Sequence, residues 1–429
     1  MNTVLPLAAA GTAHGSDAVP TMLLALAFVL VCAKLAGEVL QRLGQPAVLG
    51  ELTVGILLGN SVLLGGPDAS SLTASETFTV MAELGAVLLL FQVGLESTPR
   101  EMLAVGGRAA MVAVAGVVAP MLLGFGVGAL LRPNDSWMLH AFLGAMLAAT
   151  SVGITARVLK DAGALRSGFA RIILGAAVID DVLGLLVLAV VSGIIRAAGD
   201  GSALGAGAIA MILAKAFAFL IGALVIGSFV SPRLFKSALA LRVHGVALAL
   251  ALGFCFLLSY AAFLAGLAPI VGAFAAGLVL EDVHFEGYRD RGEPPLHDSL
   301  EPLIALLVPV FFVRMGMLVD VRSFASSSVL GFALLLTAAA IVGKLACAIP
   351  TPKGMSGLTV GLGMMPRGEV GLIFAGIGAR LVLDGRPVVD TATYAAAVFM
   401  VIATTMATPP LLLWSIKRTG ANSLPPKAV

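Results

Sequence analysis

Apolar runs long enough to cross a bilayer recur along almost the whole chain, and they restrict the fold class more than any other feature. Runs bounded by Gly, Pro and charge fall near 21–41, 46–64, 77–95, 103–131, 138–160, 168–195, 206–231, 242–260, 264–281, 301–319, 326–350, 355–382 and 390–416. A helix needs roughly 20 apolar residues to cross the hydrocarbon layer. The chain of 429 residues is therefore read as an all-α polytopic membrane protein of about 13 transmembrane helices, with short connectors and no large soluble domain. A β-barrel is excluded, because the runs are continuously apolar rather than alternating at every second residue. Composition agrees: 59% of residues are hydrophobic, 12% are charged, and mean hydropathy is +1.05. With 26 Lys and Arg against 24 Asp and Glu, no broad basic or acidic face suits a nucleic-acid partner. No phosphate-cradling Gly motif follows a strand or precedes a Lys-Ser/Thr pair, so neither nucleotide binding nor ATP drive is expected. Any transport must draw on a gradient.

The distribution of Lys and Arg sets sidedness, since cytoplasmic connectors carry the positive excess. Connectors after odd-numbered runs, with the C-terminal tail, hold most of them, including Arg42, Arg100, Arg108, Arg157, Lys160, Arg166, Arg233, Lys236, Lys353, Lys417 and Arg418. Those after even-numbered runs hold Arg132, Arg196, Arg322, Arg380 and Arg386. The N-terminus is thereby expected outside and the C-terminus in the cytoplasm. No Lys or Arg precedes Lys34, so the first run lacks the basic start of a cleaved signal peptide and reads as a retained span. The longest polar connector, 282–299, reads as a hinge between two halves. Cys32, Cys255 and Cys347 lie far apart within apolar runs, as small packing residues do.

Few charges lie at membrane depth, and each is costly enough that function is the default reading. Asp180 and Asp181 sit side by side in the middle of the sixth run, between Ile172-Ile173-Leu174 and Leu185-Leu186-Val187. A helix end or a snorkelling side chain does not explain them: the placement is central and Asp is too short to reach the interface. Successive helix positions diverge by about 100°, so the two carboxyls cannot face one point, and one can bind an ion while the other meets a different partner. A carboxyl so placed can hold either a proton or a hard cation, and exchanging the two is the elementary step of antiport. Lys344 is the natural countercharge for one of them, although Pro350 lies close enough for snorkelling to remain a reading. Lys34 and Lys215 are nearer span ends, where snorkelling is the better account. Arg314 and Glu83 are read either as gating charges or as a structural pair.

Two runs look broken. Thr150-Ser151-Val152-Gly153-Ile154-Thr155 puts hydroxyls and Gly at mid-depth in the fifth, and Gly363-Met364-Met365-Pro366-Arg367-Gly368-Glu369 interrupts the twelfth. Unwound backbone at such depth is tolerated only where protein or a cavity surrounds it, and paired discontinuous helices point to a transporter's binding site. A simple kink with Thr150 and Ser151 bonded to their own helix is the alternative. Arg367 and Glu369 are expected to compensate the opposed half-helix dipoles.

With these residues in view, the sequence resembles the monovalent cation:proton antiporter superfamily, in its Kef/NapA branch. The likeness runs from Gly44-Gln45-Pro46-Ala47-Val48-Leu49-Gly50-Glu51 through Glu83-Leu84-Gly85 to the twelfth run, and is most specific at Ala149–Leu159 and Arg171–Asp181. The resemblance implies an NhaA/NapA-like antiporter fold with inverted repeats and two crossing discontinuous helices, working as a homodimer. Its core domain would cover about 103–195 and 301–416, and its dimerisation helices about 21–95 and 206–281. It further implies Asp181 as the main ion and proton carrier and an Asp180–Lys344 salt bridge that opens when sodium binds. The second acidic residue, Asp180, implies electrogenic exchange. The expected function is a secondary active Na+(Li+)/H+ antiporter of a bacterial inner membrane, with Na+ at Asp181 and Asp180, further oxygen ligands from Thr150 and Ser151, and no cofactor. A K+/H+ antiporter would use the same carboxylates, and a sodium-coupled organic-anion symporter on a related fold is a third reading. An enzyme is not expected, for lack of a nucleophile with a base.

Overall fold

The computed structural model describes residues 18–66, 68–96, 106–164, 167–199, 206–239, 243, 245–280, 294–383 and 385–419. Most of the expected hinge at 282–299 lies outside the described residues.

Long apolar stretches without internal water must satisfy their own backbone, so the chain is helical at nearly every expected run. The helices are α1 (Ala18–Arg42), α2 (Ala47–Gly59), α3 (Ser70–Ala74), α4 (Glu76–Glu96), α5 (Gly106–Leu131), α6 (Trp137–Ala148), α7 (Val152–Asp161), α8 (Gly168–Gly199), α9 (Ala206–Ala238), α10 (Val246–Leu264), α11 (Pro269–Val279), α12 (Leu296–Met317), α13 (Ser327–Leu345), α14 (Gly357–Gly363), α15 (Glu369–Arg380) and α16 (Thr391–Thr419). A two-residue hairpin, β1 (Val382–Leu383) with β2 (Arg386–Pro387), links α15 to α16. Among the described residues, nine helices are long and apolar enough to cross a membrane, and four shorter apolar ones accompany them. Large apolar side chains such as Leu122, Ile226 and Leu257 face outward, with relative exposures of 66%, 65% and 69%. Such surface is stable against lipid and not against water.

The chain divides into two compact units. The first comprises Met1–Arg42, Ala47–Pro99 and Leu204–Leu318; the second comprises Leu43–Pro46, Arg100–Ala203 and Val319–Val429. The stretch from 301 to 318, expected with the core, therefore groups with the first unit, because α12 packs along α2 and α4.

Close backbone approach holds the first unit together. Gly55 and Gly59, one turn apart on α2, meet Gly316 and Met317 on α12; a Cβ added at Gly55 would lie 2.1 Å from the Val313 carbonyl oxygen and 2.8 Å from Gly316 Cα. Gly94 on α4 and Gly277 on α11 interlock in the same way. Lipid is as apolar as Leu, so such contacts, rather than burial from water, drive helix association here. Gly316→Leu is expected to lower the melting temperature in detergent, since overpacking costs about 1–3 kcal/mol or more. Gly253→Leu, where an added Cβ meets nothing within 4 Å, is expected to leave it unchanged.

In the second unit α5 packs on α6, α8 and α13, and α16 lies along α13, α14 and α15. One face of α5, formed by Ala109, Val112, Ala113, Gly116, Val117 and Pro120, is buried, which is the spacing of a single helix stripe. At one end of the unit, Arg132 after α5 pairs with Asp390 before α16 through contacts of 3.1 and 3.4 Å, and its guanidinium lies 5.2 Å from the Phe332 ring centroid. Partial burial would raise the Asp390 carboxyl, but hydrogen bonds from Thr393 and the Arg132 charge outweigh it and hold Asp390 below the usual carboxylate range. A lowered carboxyl contributes stability above its unfolded value and loses it as pH falls through the folded one. The stability difference between the protein and Asp390→Asn is therefore expected near neutrality and should vanish on acidification. It should also be small, because the Asp390 side chain is 47% exposed. Melting curves at several pH values check both points.

Candidate functional site

The second unit holds Asp180, Asp181 and Lys344 on α8 and α13, two helices that both pack on α5, and Arg367 in the break before α15. Asp180 and Asp181 lie on α8, one turn after the buried Ala176 and Ala177. Asp180 is fully buried and Asp181 nearly so, at 7% exposure. Lys344, in the last turn of α13, is fully buried and donates to Asp180 Oδ1 at 2.8 Å. Full burial removes the snorkelling reading of Lys344. Close packing of α13 on α5 holds the lysine there: a Cβ on the adjacent Gly343 would fall 2.7 Å from Pro120 Cα. The second carboxylate oxygen, Asp180 Oδ2, is buried without a hydrogen-bond partner among the described residues. An acceptor left bare in the interior costs about 1–3 kcal/mol, more for a charged group.

Beside this pair, two chain breaks face one another. The first follows α6, where Ala149 turns to an extended conformation (ψ 141°) and Thr150 and Ser151 are non-helical before α7 begins at Val152. The second runs from Met364 to Gly368, between α14 and α15. Pro366 offers no N–H and disfavours a helical Met365, which accounts for the stop. The Ser151 amide donates to the Pro366 carbonyl at 2.9 Å, and the Thr150 hydroxyl to the Met364 carbonyl at 3.4 Å. Thr150 is thus not bonded back to its own helix, and a hydroxyl that has donated its proton still has lone pairs for a cation. A Cβ on Gly368 would come 2.7 Å from Ser151 Oγ, so only Gly fits at this crossing.

Arg367, fully buried, spans the break. Its Nη1 donates to the Ala149 carbonyl and its Nη2 to the Ala340 carbonyl at 3.2 Å. The carbonyl end of a helix carries roughly half a negative charge, and the guanidinium rests on that end of α6. The charge of Arg367 also acts on Asp180 and Lys344, so two cations share the field of one carboxylate. Glu369 opens α15, and its side chain lies outside the described residues. Glu83 and Arg314 belong to the first unit, on α4 and α12, and each engages a partner.

Two residues of this region, Thr405 and Gly116, escaped the sequence reading, and a third, Thr155, was quoted there without a partner. Thr155 donates to the Gly363 carbonyl at 2.6 Å, and Thr405 on α16 donates to the Arg367 carbonyl, so both fasten the second break. Gly116 on α5 lies against the ion pair. Thr155 ends the quoted Thr-Ser motif and was legible there; nothing local marks Thr405 or Gly116. In the first unit, Glu51 on α2 is buried to 7% exposure, and the sequence reading gave it no role.

Comparison with known proteins matches residues 25–414 to the family described as "Sodium/hydrogen exchanger, transmembrane". The chain is 37% identical to the high-affinity Na(+)/H(+) antiporter NhaS3 of Synechocystis, over 95% of this chain and 92% of that protein. It is 33% identical to the Na(+)/H(+)-K(+) antiporter GerN of Bacillus cereus, over 91% and 95% of the two chains. Among solved structures, the sodium proton antiporter MjNhaP1 from Methanocaldococcus jannaschii superposes with a TM-score of 0.74 at 18% identity, covering 94% of this chain and 99% of that one, which shows the antiporter fold. A multi-pass helical chain matched over nearly its full length, the protein belongs to the sodium/hydrogen exchanger family of membrane transporters.

Proposed function

We propose that the protein is a secondary active antiporter that exchanges Na+ or Li+ for H+ across a bacterial inner membrane. The observation that carries this reading is the buried pair Asp180 and Asp181 beside two facing helix breaks, with Lys344 on Asp180. Asp181 binds the cation and gives up its proton as the ion enters. Asp180 contributes its bare oxygen once Lys344 lets go, and Thr150 and Ser151 add neutral oxygens. Such donors suit a hard alkali cation. Arg367 and Glu369 balance the opposed helix ends, so that the unwound segments hold their shape while the site is empty. The second unit serves as the ion-carrying core and the first as the scaffold, and movement of the core opens the site to each face in turn. Lys344, once freed from Asp180, releases its own proton together with that of Asp181, so that two protons leave for one Na+ and the cycle is electrogenic. The protein works as a homodimer in lipid with the N-terminus outside and the C-terminus in the cytoplasm.

K+ as the exchanged ion is the second reading, supported by likeness to a relative whose name includes K(+). Proteoliposomes with an imposed pH gradient separate the two. Na+ and Li+ are expected to dissipate the gradient, and K+ to leave it standing. A response to K+ moves the assignment to potassium, and silence to all three overturns the antiporter reading.

A further inference from the structure

The Asp180–Lys344 pair is tight but poorly coordinated. The ammonium has three donors, and Asp180 Oδ1 is the one acceptor it meets within hydrogen-bond distance among the described residues. Asp180 Oδ2 meets none. The cause lies on α5. Its buried stripe of Ala109, Val112, Ala113, Gly116 and Pro120 brings Gly116 directly over the pair. A Cβ built there would sit 3.4 Å from Asp180 Oδ1, 3.4 Å from Lys344 Nζ and 2.9 Å from Cys347 Sγ. Gly116 has an ordinary helical conformation, since it is not among the residues with positive φ. Its small size therefore meets a demand of space and not of backbone.

We propose that Gly116 is a positioning residue that keeps the Asp180–Lys344 pair separable, by lining it with backbone that supplies neither bulk nor a side-chain hydrogen bond. This inference rests on the proposed antiport, in which the cation competes with Lys344 for Asp180. A polar side chain at 116 would do the opposite. The hydroxyl of Ser, one bond beyond a Cβ that already lies 3.4 Å from both charges, reaches hydrogen-bond distance of either. It can accept from Lys344 and donate to Asp180, closing the pair into a three-membered network. Hydrogen bonds to charged groups are worth more than neutral ones, about 1.5–3 kcal/mol, and a cation must then displace a better-held lysine. Ala adds the bulk without the hydroxyl, and its contact is with the Cys347 thiol, which can shift.

The test compares Gly116→Ser and Gly116→Ala with the unaltered protein in proteoliposomes, measuring exchange against Na+ concentration. Gly116→Ser is expected to raise the KM for Na+ about tenfold or more, which corresponds to about 1.4 kcal/mol, while kcat at saturating Na+ changes little. Gly116→Ala is expected to stay within about threefold of the unaltered KM. Equal KM values for all three proteins, or equal losses in Ser and Ala confined to kcat, overturn the proposal. A second measurement does not depend on transport. Melting temperatures of Gly116→Ser, Lys344→Gln and the double variant in detergent form a cycle. The Ser hydroxyl is expected to stabilise the protein only when Lys344 is present; additivity overturns the proposal even if no cation is exchanged. Failure of the antiport reading would instead appear as absence of flux in the unaltered protein with the coupling intact.

Discussion

Asp181→Asn is expected to reduce sodium-driven proton flux to the level of protein-free liposomes, the largest functional effect of any single substitution in this chain. The amide has nearly the same shape as the carboxyl, and Asp181 is 7% exposed on a long helix, so the fold should survive. What is lost is chemistry. An amide carries no proton to exchange, and it presents a neutral oxygen where a desolvated cation needs a formal charge. Flux in proteoliposomes, with a melting curve to show that the variant is folded, decides the matter. Robust flux in Asp181→Asn would remove Asp181 as the carrier and with it the proposed site. Because the helix directs Asp180 about 100° away from Asp181, Asp180→Asn is not an equivalent experiment. It releases Lys344 as well as removing an acid.

Lys344→Ala carries the largest expected effect on stability. Lys344 and Asp180 are both fully buried at 2.8 Å. Removing one partner of a buried pair leaves an uncompensated charge and costs about 3–5 kcal/mol. Asp180 Oδ1 would then join Oδ2 without a partner, with the Arg367 charge as the remaining compensation. The double variant Asp180→Asn/Lys344→Gln, which removes both charges, is expected to recover most of the loss, because a neutral hydrogen-bonded pair avoids the desolvation penalty. Melting temperatures of the single and double variants, taken in one detergent, measure the difference. In proteoliposomes Lys344→Ala should also change the pH profile or the electrogenicity of exchange. A single variant as stable as the parent would mean that the ion pair is not formed in the membrane-embedded protein.

Much of the fold could be read without coordinates. Continuously apolar runs leave the backbone one way to satisfy itself, so helix occupies the described part of nearly every expected run. Pro366 and the Thr-Ser motif marked the two breaks, because both interrupt hydrogen bonding inside apolar stretches. That logic does not reach the grouping of α12, which the family resemblance put with the core and which packs within the first unit. Its apolar length foretold a helix, but which unit it joins depends on Gly55 and Gly85 opening grooves on α2 and α4, and a glycine's neighbour is not written beside it. The countercharge was open for the same reason: Lys344 could reach an interface or stay inside, and the packing of Gly343 on Pro120 together with the ion pair to Asp180 keeps it inside.

The sequence by itself determined the solvent of this protein, its helical class and the acids that lie at membrane depth, since each follows from local composition and the cost of unsatisfied polar groups in lipid. Tertiary structure decided which carboxyl oxygen meets Lys344, which carbonyls Arg367 caps and which helix supplies the glycine over the pair. Two of those contacts join residues 164 and 218 positions apart. They depend on distances of a few tenths of an ångström between helix faces, which composition and periodicity do not specify.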